Sequence, residues 1–348
     1  MKKIGLIGLL AVMVVCLGFA EAPVAQAQQV TTWKMQVAYP PGDGTWDIHS
    51  VEIKKIFEKA GKGKLKIDRY TPGALCDVKE MANAVSRGMI DMALIFGSAY
   101  AGTVPVADID AGLPWAWGSQ DQAAEIFWGA KYRLIDMMRE GWAQKNVFYY
   151  VPLSCGRYLM LLNYPARTMA DLKGHKIRAS GAMGEWLKRA GGLPVLTPGA
   201  EIYMSIKLGA IEGTLYPPAA LETLKLKEIT KYLVYPGTGT VTPPQISVII
   251  NMKSWNALPA DIRKALMDEK AQVKAYKAQG FSYMKLDEKS VESAVKNYGL
   301  QKIQWSDADD KQARKLAMDV WDKVAGKNAT SKKAVDILKR YAEDKKLL

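Results

Sequence analysis

Apolar and polar residues alternate from Trp33 to Tyr39, the pattern of a strand with one buried face. The turn formers Pro40, Pro41, Gly42, Asp43 and Gly44 follow. Ile48, Val51, Ile56, Phe57 and Ala60 then recur at helical spacing, and Lys64 to Tyr70 alternates again. Asp77 is placed to cap a helix with Glu80 three residues on. That helix carries the stripe Val78, Met81, Ala82 and Val85 and can end at Gly88. Ile90 to Phe96 is a nearly unbroken apolar run, the mark of a buried strand. Strand, helix, strand, helix, strand in that order predicts a doubly wound α/β layer. A further helix starts at Ser119, and Val147 to Leu162 is rich in strand formers.

The same rhythm then returns. Lys176 to Ala179 reads as a short strand, and Met183, Trp186, Leu187 and Ala190 as a helix closed by Gly191 and Gly192. Val195-Leu196 reads as a strand, Glu201 to Leu208 as a helix stopped by Gly209, and Ile211 to Tyr216 as another strand. This repetition predicts two similar α/β lobes. Gln245 to Asn251 is a strong strand, and from Pro259 to about Asn297 nearly every residue favours a helix long enough to cross both lobes. The remainder reads as amphipathic, basic helix.

The first residues change the picture of where this chain works. Lys2 and Lys3, an apolar run from Ile4 to Ala20, and the small-residue site Ala25-Gln26-Ala27 are the parts of a secretory signal peptide. Cleavage is expected after Ala27, giving an exported, periplasmic protein. It removes Cys16 and leaves Cys76 and Cys155, read as two separate thiols. The formal charge of +13 points to an anionic partner. The basic residues are spread out and mixed with acidic ones, as at Asp307, Asp309, Asp310, Glu343 and Asp344, so no nucleic-acid surface is expected.

Catalytic signatures are missing. His49 and His175 stand apart from any H-E-x-x-H pattern, and no cysteine pair has zinc spacing. There is no nucleophile elbow and no Walker A loop. Gly237-Thr238-Gly239 is followed by Pro243-Pro244 rather than a helix, and reads as a linker or hinge. The expectation is binding without catalysis, with no cofactor and no metal.

The richest stretch runs from Gly156-Arg157 through Asp171-Leu172-Lys173-Gly174-His175-Lys176-Ile177-Arg178 to Glu212-Gly213. Ligands of open α/β sheets sit at the carboxyl ends of strands. Arg178 lies at such an end, where a guanidinium can grip a carboxylate through two parallel hydrogen bonds. A surface or salt-bridging role is the alternative from composition alone.

The pattern D-L-K-G-x-K-I-R, then E-I-Y at Glu201-Ile202-Tyr203, then Gly209-Ala210-Ile211-Glu212-Gly213, resembles the solute-binding proteins of tripartite ATP-independent periplasmic (TRAP) transporters, the DctP-type family. Thr71-Pro72-Gly73-Ala74-Leu75, Leu113-Pro114-Trp115 and Met252 to Pro259 extend the resemblance over nearly the whole chain. It implies an α/β fold of two lobes with a ligand cleft between them, hinge strands, and a long helix spanning both. The expected division is a signal peptide at 1–27, a first lobe of 28–154 plus about 243–283, and a second of 155–242 plus about 284–348.

The resemblance also implies capture of a small organic carboxylate and delivery to the membrane subunits of a TRAP transporter. Arg178 matches the family's carboxylate clamp and Arg157 a second ligand position. Tyr216 stands where the family often has asparagine. Leu215 stands where metal-assisted relatives carry an acidic residue, so no metal bridge is expected. Trp46 and Tyr100 are further pocket candidates from their places after first-lobe strands, with core or rim packing as the alternative. Two other functions compete with this one: a periplasmic enzyme acting on an acidic substrate, and the binding protein of an ATP-driven importer.

Overall fold

A computed structural model describes residues 30–236 and 241–347. The signal peptide and Gly237-Thr238-Gly239 lie outside the described residues. In chain order the first layer is β1 (Thr31–Val37), α1 (Val51–Gly61), β2 (Leu65–Tyr70), α2 (Met81–Ser86), β3 (Met92–Ile95), α3 (Ala107–Asp110), α4 (Gln120–Trp128), α5 (Leu134–Ala143) and β4 (Val147–Ser154). The second is β5 (Leu159–Leu162), β6 (Lys176–Arg178), α6 (Gly181–Arg189), β7 (Leu193–Val195), α7 (Ile202–Lys207), β8 (Gly213–Tyr216), α8 (Ala220–Thr223) and β9 (Tyr232–Tyr235). Then come β10 (Gln245–Asn251), α9 (Met252–Ala257), α10 (Ala260–Leu266), α11 (Glu269–Tyr298), β11 (Gln301–Gln304), α12 (Asp307–Ala325) and α13 (Ala329–Asp344).

Two sheets result, ordered β2-β1-β3-β10-β4 and β11-β9-β5-β8-β6-β7. β1, β2 and β3 run parallel, as do β6, β7 and β8, so each lobe has a set of carboxyl strand ends on one side. β4 and β5 belong to different sheets although only four residues separate them, and β9 and β10 are likewise divided. These connections join the lobes. β10 inserts antiparallel between β3 and β4 with all its residues buried, and its polar members Gln245, Ser247 and Asn251 are each hydrogen-bonded.

Local chemistry sets the boundaries. Ser119 accepts the Gln122 N–H at 3.2 Å to start α4, and Asp77 accepts the Lys79 N–H at 2.7 Å ahead of α2. The expected continuous helix from 259 is divided: Asp268 leaves helical geometry and caps α11 through the N–H groups of Lys270 and Ala271, at 3.0 and 3.2 Å. Gly299, at φ 70°, closes it in the left-handed region. β9 and β11 were not expected. They form the far edge of the second sheet, and Ile303 is the only residue of β11 that is buried.

α11 is the brace between the lobes. On the first-lobe side, Gln272 accepts the Trp128 indole N–H at 3.1 Å, Tyr276 donates to Gln245 at 2.9 Å, and Gln279 meets His49 at 3.1 Å. About two and four turns beyond Gln279, Asp287 and Ala294 are buried against second-lobe elements.

The C-terminal helices, expected within the second lobe as part of 284–348, pack on both lobes. α12 packs on α6 of the second lobe, but α13 packs on α5 of the first. Indole bonds from Trp115 to Asp310 at 3.0 Å and from Trp321 to the Pro114 carbonyl at 2.8 Å tie α12 to the first lobe as well. The apolar stripe of α13, Val335, Leu338 and Tyr341, is buried against α12 and against α5 of the first lobe. Among the described residues no helix is long and apolar enough to cross a membrane.

Candidate functional site

Arg178 ends β6, level with Val195 on β7 and Thr214 on β8. Alternation along the strand buries Ile177 on one face and sends Arg178 to the other. Arg178 is 9% exposed. Nε donates to the Thr197 carbonyl at 3.2 Å and Nη1 to the Leu215 carbonyl at 3.4 Å. The group lies over the Tyr216 ring at 5.2 Å and bonds the Tyr158 phenol. These acceptors fix its plane. Among the described residues no carboxylate side chain forms an ion pair with it. A buried cation without a counter-ion is costly.

The facing wall comes from the first lobe and the brace. Tyr39 follows β1, and burial together with Tyr216, Cys155, Tyr158 and Asp43 drives its phenol pKa well up. Asp43 is 4% exposed, accepts the Thr45 N–H at 2.7 Å, and is pushed by burial up to about 6, with Asp47 adding to the shift. Tyr283 reaches in from α11, stacked on His49 at 5.5 Å and so close to Gly44 that a Cβ there would lie 2.5 Å from the ring. Burial raises the Tyr158 phenol to about 12, with Arg178 opposing. The ring of tyrosines is neutral at physiological pH and offers hydroxyl groups. The charged groups are Arg178 on one side and Asp43 on the other.

Of the five expected site residues, the structure brings Arg178 and Tyr216 together. Arg157 is not with them. Consecutive residues of an extended chain face opposite ways, and Tyr158 takes the place beside Arg178. Arg157 is exposed and lines an outer groove with Tyr235, Asp287, Val291 and Lys302. Its backbone N–H donates to Asp287 at 3.0 Å. Trp46 is half-buried and carries the Arg69 guanidinium over its ring at 4.7 Å, which is rim packing. Tyr100 is buried within the first lobe and donates its hydroxyl to the Val78 carbonyl, a core role.

Tyr39, Asp43, Tyr158 and Tyr283 were missed. The strand-end rule that selected Arg178 applies equally to Tyr39 and Asp43 after β1. Nothing in a long helical stretch marks Tyr283. Leu215, ahead of Tyr216, is buried and gives its carbonyl to Arg178. Among the described residues no three acidic, histidine or cysteine side chains come together as a metal site.

Comparison with known proteins agrees with this architecture. The monocarboxylate 2-oxoacid-binding periplasmic protein of Nostoc sp. is 24% identical over 311 residues, 89% of this chain and 83% of the relative. A TRAP periplasmic solute-binding protein from Rhodobacter sphaeroides, solved in an apo open form, superposes with TM-score 0.71 at 25% identity, covering 91% of this chain and 99% of that one. A TRAP transporter solute-binding protein from Bordetella bronchiseptica, solved with calcium and picolinate, superposes with TM-score 0.80 at 22% identity over 91% and 93% of the two chains. The model of DctP, bacterial extracellular solute-binding protein family 7, matches residues 41–328, and the chain belongs to that family.

Proposed function

We propose that this chain is the periplasmic receptor of a TRAP transporter, exported with cleavage after Ala27, and that it captures a small organic acid on Arg178 and hands it unchanged to the membrane subunits. One observation carries the ligand class: a buried guanidinium oriented by two backbone carbonyls and left without a carboxylate partner. An acid entering the cleft supplies that partner. Its carboxylate leaves water as the lobes meet, so the pairing must compensate its lost hydration. Leu215 offers no side-chain donor for a cation, so the proposed contact is direct. Tyr39, Tyr158, Tyr216 and Tyr283 supply flat walls and hydroxyl donors for the rest of the ligand.

Removing one member of a desolvated charge pair costs about 2–5 kcal/mol. Arg178→Ala is therefore expected to weaken binding by roughly 30-fold to several thousand-fold. Arg178→Lys also weakens it, because an ammonium cannot present two parallel N–H groups. A thermal-shift screen of organic acids finds the ligand, since binding to the folded state alone raises its stability, and calorimetric titration of the variants follows. Unchanged affinity in Arg178→Ala sinks the assignment. Mass spectrometry should recover the acid intact, and an accumulating product would mark an enzyme instead.

A further inference from the structure

Three residues after Arg178 the chain starts α6, and that start is in contact with the first lobe. Asp108, on α3, is 3% exposed. Its Oδ1 accepts the Ser98 hydroxyl at 2.7 Å and the Ala182 backbone N–H at 3.1 Å. Its Oδ2 meets Lys327 Nζ, from the turn between α12 and α13, at 3.2 Å. Ser98 and α3 belong to the first lobe, and Ala182 to the second. Between Arg178 and Ala182 stands Gly181, at φ +54°. A Cβ there would lie 2.3 Å from Asp108 Oδ1 and 2.5 Å from Ser98 Oγ. Only a residue without a side chain allows the two lobes to approach this closely.

We infer that Asp108 is a positioning residue for ligand capture: its carboxylate, oriented by Ser98, latches the first turn of α6 and so holds the Arg178 strand end against the first lobe in the closed state. When the lobes part, the Ala182 N–H and the carboxylate are separated and each takes water. When they close, a charge-assisted hydrogen bond forms in a buried place, and bonds of this kind are stronger than neutral ones. The latch thus biases the closing equilibrium itself, whichever anion Arg178 takes, and the inference does not depend on the carboxylate reading.

The test reads the lobes without any ligand. Nitroxide labels at Lys59→Cys and Lys207→Cys, one exposed site per lobe, are placed in full-length mature protein carrying Cys76→Ser, and the inter-lobe distance distribution is measured by pulsed electron resonance. In Asp108→Ala the ratio of closed to open conformers is expected to fall about tenfold. Gly181→Ala should do the same with the carboxylate intact, by preventing the approach. Asp108→Asn keeps an acceptor and should stay within about threefold of the parent. A folded Asp108→Ala or Gly181→Ala protein with the parent's distance distribution overturns the inference. If Asp108→Ala fails to fold, Gly181→Ala alone decides.

Discussion

At the scale of single residues, the buried acids set how stability follows pH. Asp110 is fully buried, accepts from Tyr149 at 2.7 Å and Ser247 at 2.8 Å, and is raised by burial to about 7. Asp287 is also raised by burial to about 7. Each binds its proton more tightly in the folded chain than in the unfolded one. Their contribution is complete below the ordinary carboxylate range and is lost as pH rises through about 7. His49, lowered by burial to about 4, acts in the opposite sense: its contribution is present above its ordinary value of 6.5 and lost as pH falls toward 4. Between pH 6.5 and 8 the loss from the two acids exceeds the small remaining gain from His49, so the melting temperature should fall across that interval. The slope is at most about 1.4 kcal/mol per pH unit for each group. Asp110→Asn should flatten it, and a melting temperature independent of pH in both proteins would contradict the assignment. None of this was legible in the sequence. Asp110 looks like any acid near a turn until β10 and β4 are folded over it. Arg178 was legible because a strand end has a local signature, whereas the side on which Arg157 lies depends on the path of the chain through the hinge.

At the scale of elements, the hinge is held by one carboxylate on the brace. Asp287 of α11 accepts the N–H of Arg157 at 3.0 Å, just beyond β4, and the N–H of Ala219 at 2.8 Å, just beyond β8. Gly156 sits against it at φ +78°, and a Cβ there would lie 2.0 Å from Oδ2. Asp287 cannot yield without giving up two buried charge-assisted bonds. Gly156→Ala is therefore expected to cost about 3 kcal/mol or more, combining left-handed strain with those losses. Gly209 is the control: its φ of +73° is similar, yet nothing lies within 4 Å of its Cβ position, so Gly209→Ala should cost only about 1 kcal/mol. Urea unfolding of both variants measures the difference, and equal midpoints would refute the hinge argument. Most elements were readable because period and cap agree, as at Ser119 and Asp77. The interruption at Asp268 was hidden because the flanking residues on both sides favour helix. β11 was hidden because an edge strand with one buried side chain hardly alternates.

At the scale of the whole molecule, the two-lobed α/β plan followed from the repeated strand and helix rhythm, but the allegiance of the last helices did not. Amphipathic spacing tells that α13 has a face to bury and is silent about which lobe receives it. In the structure α13 folds back on α12 and covers α5, and Tyr132 reaches Asp344 at 2.6 Å while Thr330 reaches Glu140 at 2.9 Å. Val335, Leu338 and Tyr341 are fully buried there. At roughly 1.5–3 kcal/mol for each large apolar side chain, their burial contributes about 5–9 kcal/mol. That is comparable with the entire stability of an ordinary domain, about 5–15 kcal/mol. A chain ending at Lys327 should therefore lose its first lobe's cooperative melting and bind a hydrophobic dye at room temperature, even though the second lobe carrying Arg178 keeps its full sequence up to α12. If α13 were only an appendage of the second lobe, the shortened protein would instead melt within a few degrees of the parent. Calorimetry of the two proteins separates these outcomes, because only a helix that completes the first lobe can remove that lobe's transition when it is taken away.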